Sequence, residues 1–239
     1  MRATAAIPVA GTPPRPTTLT ATSLSGGGGV PATGIAAVAL TVVATDARDA
    51  GYVTAWPTGS SRPLASNLNV EHPGQTIADL VVVPVGADGE VSLYTQAGTH
   101  LVMDVVGWFG DASAPVGTDG LLVPVAPSRL LDTRIDLGRG PLTPGVEGTA
   151  AMAGRAPLPA QGVAAVIGNL TATATAAAGY VTVWPNGVLR PLASSLNTER
   201  ADQTIANGLV ATLGADGGLG LFTLQGADLI VDVTGWFTT

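Results

Sequence analysis

The chain writes one pattern twice, and this duplication restricts its possible folds more than any other feature. Gly51-Tyr-Val-Thr-Ala-Trp-Pro57 returns as Gly179-Tyr-Val-Thr-Val-Trp-Pro185, and Arg62-Pro-Leu-Ala-Ser66 returns as Arg190-Pro-Leu-Ala-Ser194. Gln75-Thr-Ile-Ala78, Gly86-Ala-Asp-Gly89 and Gly107-Trp-Phe109 recur in the same order, each 128 residues further on, as Tyr180 follows Tyr52. A regular internal repeat of this kind sets the architecture before any motif is read. The 239 residues suit two domains of ordinary size, about 100–150 residues each. The stretch from Gly110 to Gly120 is polar and turn-rich, as linkers are. The expected units are therefore 1–112 and 113–239, each long enough to fold without a metal or a disulfide.

Within each unit the apolar residues alternate, which is the period of a strand with one buried face. Thr41 to Thr45, Tyr52 to Trp56, Ile77 to Val85, Val91 to Thr95 and Leu101 to Val105 all show it, with valine and threonine abundant. The 32 glycines and 18 prolines fall between these runs. Gly-Ala-Asp-Gly at 86–89 and 214–217 reads as a tight hairpin, because glycine accepts the positive φ such a turn needs. Trp-Pro with a glycine two residues later ends a strand and opens a turn. Short strands with frequent turns predict an all-β fold of two tandem homologous β-sandwich or barrel-like domains.

Composition narrows the function classes. The net charge is −7 and only 11% of residues are charged, which does not fit the basic footprint of a nucleic-acid binder. Every basic residue is arginine. There is no cysteine, hence no thiol chemistry. The longest apolar run, around Ile35–Ala44, is about half of the ~20 residues a membrane helix needs, so membrane insertion is not expected. Met1–Pro8 lacks the apolar core of a secretory signal.

Arg129-Leu-Leu-Asp-Thr-Arg134, Gly-Tyr-Val-Thr-Val-Trp-Pro, Arg-Pro-Leu-Ala-Ser-x-Leu-Asn, Gly-Ala-Asp-Gly and Asp-Val-x-Gly-Trp-Phe follow one another through the second unit. In this order they resemble a tandem repeat module of secreted actinobacterial proteins, which occurs beside peptidoglycan or polysaccharide hydrolases and other exported enzymes. The resemblance implies an extracytoplasmic accessory module without a defined biochemical role of its own. The first unit departs from it at Asp79, where the second has Asn207, and at its start. Extending the 128-residue offset backwards sets Met1–Ala6 against Arg129–Arg134, so the charged partners of that motif are missing there.

Several residues invite a chemical reading. Asp104 and Asp232 sit among valines, where a carboxylate is costly unless paired. Arg62 and Arg190 are the expected partners, making two structural ion pairs. Asp132 and Arg134 suggest a buried ion pair or a side-chain clamp on the backbone. Asn67, Asn69, Asn197, Gln75 and Gln203 form a repeated amide set that either satisfies loop backbone or binds sugars. Tyr52 and Trp56 share a strand face, as do Tyr180 and Trp184. That face is either covered by the molecule's own loops or forms an aromatic contact surface, with Asn69 and Asn197 beside it. His72 and His100 occur in the first unit only and are expected to be solvated. The hairpin aspartates Asp88 and Asp216 lack the carboxylate run of a calcium loop. No metal-ligand spacing, nucleophile elbow or nucleotide-binding loop occurs, so no metal, cofactor or catalytic residue is assigned.

Two functions follow as expectations, with a hydrolase a distant third that has no visible machinery. The first is a non-catalytic structural or assembly protein of an extracellular or cell surface, or of a virion. It would associate with itself or with other surface proteins. The second is a carbohydrate or cell-wall binding module.

Overall fold

The computed structural model of the protein describes residues 4–6, 17–20, 30–87, 89–114 and 116–239. The chain divides into two compact units, Met1–Pro115 and Val116–Thr239. Both are all-β. In the first unit the strands are β1 (Thr4–Ala6), β2 (Thr17–Thr20), β3 (Ile35–Thr45), β4 (Gly51–Pro57), β5 (Leu68–Val70), β6 (Ile77–Pro84), β7 (Val91–Thr95) and β8 (His100–Gly110). In the second they are β9 (Leu122–Asp132), β10 (Gly148–Ala151), β11 (Val163–Thr173), β12 (Gly179–Pro185), β13 (Leu196–Thr198), β14 (Ile205–Thr212), β15 (Gly218–Thr223) and β16 (Asp228–Thr238).

Each unit is a sandwich of two four-stranded antiparallel sheets with the same strand order. The first unit has sheets β1-β8-β3-β6 and β2-β7-β4-β5; the second has β9-β16-β11-β14 and β10-β15-β12-β13. The alternation read from the sequence has a direct cause here. Val38, Leu40 and Val42 of β3 point inward and meet Val53 of β4 and Leu93 of β7 in one apolar cluster. In the second unit Val166, Leu170 and Ala172 of β11 do the same with Val181 and Val183 of β12. Burying each such side chain contributes about 1.5–3 kcal/mol, which drives the two faces together.

The repeated Gly-Ala-Asp-Gly segments join β6 to β7 and β14 to β15. Gly89 and Gly217 have φ of 71° and 72°, the left-handed region where a side chain is strained. Gly86 and Gly214 serve a different need. A Cβ at either would strike the backbone carbonyl oxygen of Thr58 or Asn186 in the turn after β4 or β12.

The constant offset does not hold at the first strand. Ala6 pairs with Val102, while Asp132 pairs with Ile230, the residue equivalent to Val102. Ala6 therefore takes the place of Asp132, and the backward alignment of Met1–Ala6 with Arg129–Arg134 is two residues out of register. The histidine expectation also fails in part. His72 is exposed, but His100 is buried at the start of β8, opposite Thr45.

Candidate functional site

The segment between β4 and β5, and its equivalent between β12 and β13, folds back over the outer face of its own sheet. Pro57 and Pro185 end the strand pairing. The indole of Trp56 then donates to Ser60 O at 3.1 Å, and that of Trp184 donates to Val188 O at 3.1 Å. Thr54 donates to Ala65 O at 2.6 Å and Thr182 to Ala193 O at 2.7 Å. At the far end, Asn67 accepts from Ala55 N at 2.7 Å, and Ser195 accepts from Val183 N at 3.0 Å. Each loop is thus fastened along its length to the strand it covers.

This arrangement decides between the two readings of the aromatic face. Trp56 and Trp184 are only 6% and 3% exposed, so neither belongs to a contact surface. The expectation that they do is corrected: the loop covers them, and their ring nitrogens are used in holding it. Tyr52 and Tyr180 lie at the loop's margin and stay half-exposed. Each stands directly opposite an asparagine, Tyr52 facing Asn69 and Tyr180 facing Asn197. Asn197 also accepts from Ser194 Oγ at 2.9 Å. The glutamines do something else. Gln75 and Gln203 are buried and accept from the backbone N–H of Glu71 and Glu199 at 2.6 and 2.7 Å. They satisfy loop backbone.

The arginines of the repeated Arg-Pro-Leu-Ala-Ser segment sit over aromatic rings. Arg62 lies 3.7 Å from the Tyr94 ring centroid and Arg190 lies 3.9 Å from that of Phe222. Tyr94 and Phe222 in turn pack against Tyr52 and Tyr180, with centroids 5.8 and 5.7 Å apart. The supposed pairs Arg62–Asp104 and Arg190–Asp232 do not form. These loops cover one sheet of each sandwich, whereas Asp104 and Asp232 lie in the other sheet. Asp232 is bound instead by Arg129, at 2.8 and 3.0 Å. The Asp232 side chain is 30% exposed, and such surface pairs contribute at most about 1 kcal/mol. Asp104 is only 2% exposed, lying between Thr41 and Thr4 in the ladder. Arg190 pairs with Glu147 at 3.1 Å. Arg62 has no carboxylate partner among the described residues.

Asp132 anchors a different cluster at the end of β9. Arg134 grips both its oxygens with its guanidinium, at 2.9 and 2.7 Å, and donates its backbone N–H as well, while Arg129 adds a bond at 3.1 Å. Arg134 above all holds the Asp132 carboxyl down to about 2. Burial pushes the carboxyl of Asp79 up, against the N–H of Leu80, which lowers it.

Between the loop and the tyrosine of the second unit lies a shallow depression of about 290 Å³, bounded by Tyr180, Arg190, Leu192, Ser194 and Asn197. Above it the loop carries the residues that sequence reasoning missed. Leu64 and Leu192, at equivalent positions, are both fully exposed. In the second unit Val188 and Leu189 are exposed beside Leu192. The signal was present in the repeat of Arg-Pro-Leu-Ala-Ser, but alternation assigns leucine to a core and cannot say that a loop lifts it into solvent. The pairing of Tyr94 with Phe222 across the same offset was legible too. Among the described residues, no three His, Asp or Glu side chains gather as a metal would need. Asp216 accepts from Asn186 and from Gly218 N, and Asp88 lies outside the described residues.

No family model matches the chain, and no curated protein does. Among solved structures, the N-terminal CBM22-1–CBM22-2 tandem domain of Paenibacillus barcinonensis Xyn10C aligns with 87% of this chain and 79% of its own. The identity is 11% and the TM-score 0.23, too low to carry an argument. No helix among the described residues is long and apolar enough to cross a membrane.

Proposed function

We propose that the protein is a non-catalytic surface or particle protein that works by contact, through one loop-and-tyrosine platform presented once by each unit. The observation that carries this is the pair of fully exposed leucines, Leu64 and Leu192, on loops fastened by the same tryptophan and threonine bonds. A single exposed leucine needs no explanation. Two at equivalent sites, each beside an arginine stacked on an aromatic ring, form the apolar centre and polar margin of a contact patch. The second loop adds Val188 and Leu189, which makes its crest apolar enough to favour a protein partner, another copy included. The resemblance to secreted repeat modules points to the same accessory role outside the cytoplasm.

Sedimentation velocity over a hundredfold range of concentration tests this reading. The chain should associate as concentration rises. Leu64→Asp with Leu192→Asp should abolish association without moving the melting temperature. A chain that stays monomeric throughout contradicts assembly by this patch. The depression beside Tyr180 and Asn197 supports a second reading, a glycan site, in which the ring stacks on a sugar and the arginine and amide bind its hydroxyls. Retention on a peptidoglycan or polysaccharide resin, lost in Tyr180→Ala, would select it over the first.

A further inference from the structure

The two units differ most at one sheet margin. In the second unit β9 pairs along β16 almost to its end: Gly235 faces Pro124, Trp236 faces Val123 and Phe237 faces Leu122. This segment closes one end of the sandwich. Val125 and Trp236 pack together against the core, and Leu122 lies against Gly235. Pro124 is tolerated because β9 is an edge strand.

In the first unit β1 pairs with β8 only from Val102 to Asp104. Beyond that, Val105–Gly110 has β3 on one side and no strand on the other among the described residues. The consequences are visible residue by residue. Gly107, equivalent to Gly235, faces open space. Trp108 is 43% exposed and Phe109 36%, whereas Trp236 and Phe237 are partly buried. Nothing protects this margin. Val105-Val-Gly-Trp-Phe-Gly110 contains no charge and no proline, the devices by which sheet edges usually avoid pairing.

We infer that the open margin of β8 from Val105 to Gly110 is a docking site for an extended apolar segment of a separate polypeptide, which adds to the sheet as an antiparallel strand. The second unit supplies the template for the occupant. It is a Leu-Val-Pro-Val type strand whose first side chain covers Gly107 and whose last packs with Trp108 to close the core. Backbone bonds give such strand addition its affinity, and the alternate side chains give it specificity. The inference does not rest on the loop platform.

The probe is a synthetic peptide with the sequence of residues 120–128, added to the full chain and followed by hydrogen exchange. Exchange in Val105–Gly110 should slow at least tenfold with the peptide and not with a scrambled one, while the equivalent Val233–Thr238 is unchanged. Gly107→Ala is the discriminating variant, since the free chain has room for the methyl group but the bound strand does not. It should leave melting unchanged and weaken peptide binding at least fivefold. Protection that rises with protein concentration alone identifies a second copy as the donor and supports the inference. It is overturned if the free chain at low concentration already protects Val105–Gly110 as strongly as Val233–Thr238. It is equally overturned if the peptide leaves that segment unprotected, or if Gly107→Ala binds it as well as the parent.

Discussion

Asp132 and Asp79 show how two aspartates of one fold take opposite places in its pH response. Asp132 has a folded pKa of about 2, below its ordinary 3.8, because Arg134 binds its charged form. Its contribution is therefore complete above about pH 4 and is lost as the pH falls towards 2. Asp132→Asn should flatten the acid limb of the stability curve between those values. An unchanged acid limb, read by denaturant titration, would show that the clamp contributes nothing. Asp79 behaves in reverse, since burial raises its pKa and the charged form is the one penalised. Its equivalent Asn207 donates to Ser195 O at 2.9 Å, a bond that a carboxylate cannot make. Asp79→Asn should stabilise the first unit by about 1 kcal/mol at neutral pH. The gain should shrink as the pH falls below the carboxylate range, because the protonated acid no longer carries the penalty. Equal or lower stability at pH 7 would contradict this.

At the scale of elements, legibility followed burial. Strands β3, β4, β6, β7 and β8 and their counterparts were readable because a buried face imposes alternation on the sequence, and the turn glycines were readable from their backbone demands. The loop after β4 was not. Its course is set by hydrogen bonds from Trp56 and Thr54 to carbonyl groups of Ser60 and Ala65, and backbone acceptors leave no trace in residue type. For the same reason Tyr52 and Tyr180 could be placed on a face, yet Trp56 and Trp184 on that face were wrongly expected at the surface. The ion pairs failed for a different cause: chain order brings Arg190 close to no particular carboxylate, and sheet membership puts it near Glu147 and far from Asp232. The hairpin glycines give the element-scale test. Gly214→Ala should cost about 1–3 kcal/mol through its collision with the Asn186 carbonyl. A melting temperature unchanged within error would mean that the turn yields more easily than its geometry implies.

For the molecule as a whole, duplication supplied two copies of one sandwich, and divergence then gave them unequal surroundings. The core clusters are close equivalents, strand for strand, while the differences collect at the first strand, at position 79 and on the loop crests. Among these, the neighbourhood of the two stacked arginines separates the units electrically. Arg190 has its charge answered at short range by Glu147, whereas Arg62 projects an unanswered positive charge from a chain of net charge −7. Ionic strength therefore acts on the two patches differently. Raising sodium chloride from about 0.01 to 1 M shortens the reach of electrostatic attraction from about 30 to 3 Å. That change should weaken whatever the first unit grips and leave the grip of the second nearly untouched, so a salt titration sorts the duplicated handles without a single substitution.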